Sequence, residues 1–254
     1  MTSFFFGTSF FIPVEFTKVG KALPHTRVYL PLEAYMTEVL IEPHYLPSLE
    51  YFSALSNCQS VCLEVQEHFV KQSPRTRTTI LTSAGPKTLI VPVVHGGLGR
   101  MPLWQVEIDY STRWWVTHWR TIDSAYRNSP WFEHYAGEFE SILFRREQSL
   151  VQLNMKLLQR CSEILRLKAL FRENEAFSTE TSLYDLRSLI LDKEPFSLRP
   201  FYRPEPYTQV FGGTFIPNLS VLDAIFCCGP EAGRIIAKSR PVSENEGDYS
   251  GAAT

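Results

Sequence analysis

The chain lacks an excess of either charge. Lys+Arg number 25 against Asp+Glu 27, for a net charge of -2, so no bulk cationic field holds a phosphate backbone, and nucleic acid is not an expected partner. It also lacks a cysteine framework. Five cysteines, an odd number that includes the neighbours Cys227 and Cys228, form no CxxC or zinc spacing and no paired set, which favours a reducing cytoplasm. There is no HExxH, no GxSxG and no internal repeat. The most apolar stretch, at the N-terminus, holds six phenylalanines but is interrupted by Pro13 and Glu15, far short of the ~20 residues that cross a bilayer. Lys18 and Lys21 follow that run instead of preceding it, which argues against a secretory signal.

What is present is ordinary for a globular protein of 254 residues, with 44% hydrophobic and 20% charged content. Residues 1–35 read as an extension, possible to dispense with, because Thr37 to Ile41 opens the first ordered strand. A single domain is expected over residues 36–238, followed by a polar, disordered tail over 239–254. Further strands are expected at Ser60 to Val65, Thr78 to Thr82, Thr88 to Val94 and Trp104 to Ile108, with a hairpin turn at Ser83-Ala84-Gly85-Pro86. Leu49, Phe52 and Leu55 have helical spacing between the first two strands. The second half reads as helical. Ser111 is placed to cap a helix with Trp115, Trp119, Ile122 and Tyr126 on its buried stripe, Asn128-Ser129-Pro130 separates the next helix, and one long helix is expected from Gln148 to Phe171. The fold class is α/β, a mixed sheet from the N-terminal half covered by helices from the C-terminal half.

Few segments carry chemistry. His95-Gly96-Gly97-Leu98-Gly99 follows a strand but opens no helix, so it is an exposed connection and not a phosphate loop. If Lys71 to Arg77 is extended, Lys71, Ser73, Arg75 and Arg77 share one side, and an anionic ligand would relieve their repulsion; a solvated edge strand explains the same pattern. His118 sits beside the aromatic stripe, where an imidazole serves either as a buried hydrogen-bonding group or as a general base. Asn218 or Ser220 is placed to cap a helix carrying Leu222, Ile225 and Phe226, with Asp223 serving its dipole.

In order and spacing these segments resemble the WbqC-like family of bacterial surface-polysaccharide loci. The matching stretches are Pro43-His44-Tyr45-Leu46-Pro47 with Tyr51-Phe52, Lys71 to Arg77, Leu89 to Val93, Trp114 to Pro130, Tyr207 to Phe211, and Phe215 to Asp223 with Gly229-Pro230-Glu231. The chain departs from the family at Ile41-Glu42-Pro43, where many members carry His-Gln-Pro, and at Pro74 and Thr76. The resemblance implies a cytoplasmic role in O-antigen or capsule assembly and, for some members, glycine transfer to an amino sugar. Amide formation needs a deprotonated amine, an activated acyl donor and hydrogen-bond donors for the oxyanion. On that reading His118 is the base, Lys71, Arg75, Arg77 and Arg120 read the phosphates of a nucleotide sugar, Tyr45, Ser73 and Tyr126 orient the sugar, and Gln209 positions a hydroxyl or carbonyl. No metal is implied, and the sequence names no cofactor: ATP or an activated acyl donor would serve. The stretch Ile41 to Phe52 faintly resembles the His-x-Gly-His loop of nucleotidyltransferases, without its glycine or second histidine. The alternative is a non-catalytic protein of the same pathway that binds a sugar nucleotide or assists assembly.

Overall fold

The computed structural model describes residues 38–94, 100–191, 194–211 and 213–241. The extension over 1–35, the glycine stretch at 95–99 and the tail from 242 lie outside them. Within the described chain, the opening strand β1 (Glu38–Ile41) leads through helix α1 (Leu49–Leu55) to β2 (Ser60–Leu63), and the two strands pair in parallel from Glu38 opposite Ser60 to Ile41 opposite Leu63. Ser48 caps α1 by accepting from the Tyr51 amide. Val39, Leu40 and Ile41 are all buried, as a central parallel strand covered on both faces requires.

A hairpin, β3 (Arg77–Thr82) with β4 (Gly85–Ile90), is antiparallel and turns at Ser83-Ala84 as its sequence predicts. It does not join the first sheet. The parallel sheet instead recruits two strands from the later half of the chain, β5 (Leu170–Glu173) beside β2 and β6 (Tyr184–Asp185) beside β1, in the order β5-β2-β1-β6. The α/β class holds, and the described residues build two sheets, one parallel and one antiparallel.

Three local expectations need correction. The stretch expected as a strand from Trp104 to Ile108 is a 3-10 turn at Leu103–Gln105, followed by single bridges from Glu107 to Ser149 and from Ile108 to Val93. Ser111 does not cap helix α2 (Trp114–Tyr126); its amide is taken by Asp109, and Arg113 holds the cap position without a side-chain bond. The long helix from Gln148 is α4 (Leu150–Ile164), following α3 (Phe132–Phe144), and it stops seven residues before Phe171. The stop is a Schellman arrangement: the Leu167 amide donates to Ser162 O, the Arg166 amide to Glu163 O, and Arg166 takes φ 57°. Arginine in the usual glycine position hides that signal. Phe171 then enters β5, where the Leu170 amide binds Gln59 O.

Helices α5 (Val221–Cys228) and α6 (Ala232–Lys238) complete the layer. Ser220 caps α5 by accepting from the Leu222 amide, and Asp223 lies in its first turn. Phe226 is the hub of the helical core, with ring centroids 5.4 Å from Tyr126, 5.1 Å from Phe132 and 5.7 Å from Phe139. Gly233 lets α6 approach the end of α4, since a Cβ there would meet Leu165 O at 2.3 Å. Ser239, where the tail was expected to begin, is buried at the end of α6 and accepts from the Arg203 amide at 2.7 Å.

Candidate functional site

In an open parallel sheet the residues just beyond the carboxyl ends of the strands collect at one edge. Here that edge is charged and buried. β1 delivers Glu42 and His44, β2 delivers Glu64, β5 delivers Asn174, and β6 delivers Arg187 and Ser188. Glu64 accepts from the Gln66 and Glu67 amides at 2.8 and 2.9 Å, from Asn174 Nδ2 at 2.7 Å and from Arg187 Nη1 at 3.0 Å. Glu42 accepts from the Ser188 amide and faces Arg75 Nη2 at 3.5 Å and His44 Nε2 at 3.5 Å. Burial is the largest influence on Glu42 and opposes its charge, yet Arg75 and His44 outweigh it and hold the carboxyl down at about 2. Glu67, paired to Arg75 at 2.7 Å, goes the other way: burial raises it.

Beside this cluster lies a cavity of about 600 Å³. One wall is the β1–α1 turn, with His44, Tyr45 and Ser48. A second is the hairpin, with Arg77, Thr78, Thr79 and Thr88, and a third is the segment before α5, with Asn218. Leu46 and Asn218, facing residues of two walls, adopt φ 42° and 54°, a left-handed conformation that side chains other than glycine rarely take. Both are held. Leu46 O accepts from the Thr78 and Ser220 hydroxyls at 2.7 and 3.0 Å, and Asn218 exchanges two bonds with Glu50, accepting from its amide at 3.0 Å and donating to its carboxylate at 3.1 Å. Glu50 in turn takes both arms of Arg199 at 2.6 Å, and Arg199 Nη1 also donates to Leu191 O and Glu194 O. Strain of this type persists where the surroundings over-determine it, as they do here.

Two of the residues singled out in the sequence, Tyr45 and Arg77, line this cavity. Arg77 has no ion-pair partner among the described residues, and its Nε is buried without a hydrogen bond. The expected cationic row does not form. Residues 71–76 are a turn, with Gln72 at φ 54°, so strand alternation begins only at Arg77. Lys71 points to solvent, Ser73 is buried and donates to Val70 O, and Arg75 is fully buried against Glu67 and Glu42. Arg120 lies on a separate cavity of about 430 Å³, with Lys87 and Thr121. Tyr126 and Gln209 both hold the buried Asp223, through Tyr126 Oη at 3.0 Å and Gln209 Nε2 at 2.9 Å, joined by Tyr207 Oη at 2.7 Å.

His118 is not on the cavity lining. Its Nδ1 meets Tyr45 Oη at 3.0 Å and its ring packs 5.0 Å from Trp114. Burial lowers its pKa to about 4, against a weaker opposing hydrogen bond that the ring donates to the Ile90 backbone. It is therefore a neutral imidazole, a weak acceptor near pH 7, positioned behind Tyr45. His44, Glu50, Arg199 and Asn218 were not singled out for the site. His44 was visible as one half of a Glu-x-His spacing at the end of a strand, whereas the Glu50–Arg199 pair spans 149 positions and leaves no local mark.

The cysteines offer no nucleophile: all five are unpaired, and burial raises Cys58 to about 12 and Cys228 to about 11 and shifts the others the same way. Among the described residues no cluster of histidine, cysteine and carboxylate is arranged to hold a metal, and no helix is long and apolar enough to cross a membrane. Compared with known proteins, the chain matches the pattern of the WbqC-like protein family over residues 42–193 and 197–235. No curated protein and no solved structure matches it.

Proposed function

Because the chain belongs to the WbqC-like protein family, we propose that its cavity binds an anionic sugar derivative, a nucleotide sugar, and that the protein transfers an acyl or aminoacyl group such as glycyl to an amine on that sugar during bacterial surface-polysaccharide assembly. The observation that carries this reading is Arg77: its guanidinium has no ion-pair partner among the described residues and its Nε is buried without a hydrogen bond, at the wall of a cavity whose other charged lining groups are the mutually paired Glu50 and Arg199 and the carboxylate of Glu194. A phosphate supplies the missing partner, and the hydroxyls of Ser48, Thr79 and Thr88 suit a polyol. The Tyr45 hydroxyl is taken by His118, so the tyrosine shapes the wall beside the sugar instead of binding it through its hydroxyl. A cytoplasmic setting belongs to the same proposal and agrees with five unpaired cysteines.

The non-catalytic alternative draws support from the position of His118, which is too weak a base and too far behind the wall to act directly. One experiment separates the two. The protein is incubated with nucleotide amino sugars, glycine, ATP and activated acyl donors, and the mixture is searched by mass for an acylated sugar. Product supports transfer; tight binding without product supports the binding role. In calorimetry with the same sugars, Arg77→Ala removes a charged hydrogen bond of about 1.5–3 kcal/mol and weakens binding roughly ten- to a hundredfold. Unchanged affinity removes the cavity from the argument.

A further inference from the structure

Resting on the transfer reading above, the geometry points to His44 as the group that takes the proton in the transfer step, with Glu42 as the positioning residue that fixes its tautomer. Three observations converge. His44 borders the cavity, as His118 does not, although its side chain is only 2% exposed, so the transfer step uses the ring's Nδ1 edge alone. Its Nε2 is buried without a hydrogen bond yet lies 3.5 Å from Glu42 Oε1, a carboxylate that is itself 1% exposed and ionised. A carboxylate so placed draws the imidazole proton to Nε2 and leaves the lone pair on Nδ1.

The segment that carries the pair is pinned at every residue. Tyr51 Oη donates to Glu42 O at 3.1 Å, Asn154 Nδ2 to Pro43 O at 3.1 Å and to Arg75 O at 2.8 Å, and the Tyr45 amide to Pro74 O at 2.9 Å. The His44 ring packs against Tyr51 with centroids 4.7 Å apart. Arg75 sits behind Glu42 with Nε and Nη1 unpaired, so the carboxylate cannot be neutralised cheaply. The contact of 3.5 Å shortens when charge develops on the imidazole.

In the step itself, the sugar amine attacks the carbonyl carbon of an acyl group activated as a phosphate anhydride. A C–N bond forms, the proton leaves nitrogen for His44 Nδ1, and the C–O bond breaks with its electron pair leaving on the phosphate, which later receives the proton.

Histidine labelled with ¹⁵N in the full chain tests this, the His44 signals being assigned by their loss in His44→Gln. The expected result is an Nε2–H tautomer at pH 7.5 that becomes a mixture in Glu42→Gln. In turnover with uridine diphosphate glucosamine and an acyl phosphate, His44→Gln should lower kcat by about a hundredfold or more with the sugar KM nearly unchanged, whereas Arg77→Ala raises KM. An Nδ1–H tautomer in the wild type, or a His44→Gln variant that turns over normally, overturns the assignment. If Glu42→Gln fails to fold, the wild-type tautomer and His44→Gln still decide it. If the wild type gives no product with any donor, the transfer reading falls and takes the proton-accepting role with it, while the tautomer still decides whether Glu42 positions His44.

Discussion

Arg199→Ala tests whether the third wall of the cavity is held by a single buried ion pair. Glu50 is fully buried and meets both arms of Arg199, itself 9% exposed, at 2.6 Å. Removing the guanidinium strands a carboxylate that keeps only Asn218 Nδ2 and backbone neighbours, and breaking such a pair costs about 3–5 kcal/mol. The bond from Asn218 at 3.1 Å puts the expected loss near the lower end. At a urea slope of about 2 kcal/mol per molar, that is a midpoint lowered by roughly 1.5–2 M. Removing both charges, in Glu50→Leu with Arg199→Met, should recover most of it, because a buried pair replaced by apolar groups is often neutral. The same variants report on function: Arg199 also ties Leu191 O and Glu194 O, so the single variant should weaken sugar-nucleotide binding more than the double variant restores it. A loss under about 1 kcal/mol for Arg199→Ala would show the pair to be solvated and the reasoning wrong, since exposed pairs contribute in that range.

Other outcomes follow from the same structure. Burial holds His118 at about 4, below the ordinary histidine value near 6.5, so the unfolded chain binds the extra proton between those values. Stability should therefore fall as pH drops from about 6.5 to 4, by up to about 3 kcal/mol, and His118→Gln should flatten that limb of the stability–pH curve; an unchanged limb would assign it to other groups. Gly233→Ala, which in an open helix would add up to about 1 kcal/mol, should instead destabilise by about 1–3 kcal/mol because its Cβ meets Leu165 O, and a raised melting temperature would refute the close approach. Arg166→Gly should stabilise by up to about 1 kcal/mol by relieving the left-handed position that ends α4, as read by urea unfolding.

Local pattern carried much of the fold. The hairpin at Ser83-Ala84, the Ser220 cap of α5, the buried stripe of α2 and the βαβ opening all depend on residues within a few positions of each other, so periodicity and capping chemistry reveal them. Atypical short-range signals hide the rest: arginine instead of glycine ends α4, and a 3-10 turn takes the place of a strand after Met101.

The amino-acid sequence alone determined the α/β class and the family, because each rests on a local pattern or an ordered series of short motifs. Tertiary structure alone decided that β5 and β6 complete the parallel sheet, that Arg75 is consumed by Glu42 and Glu67, and that His44 stands at the cavity while His118 stands behind it. Those facts join residues up to 145 positions apart, and whether a charged side chain meets ligand, carboxylate or water is fixed by what the rest of the chain packs beside it.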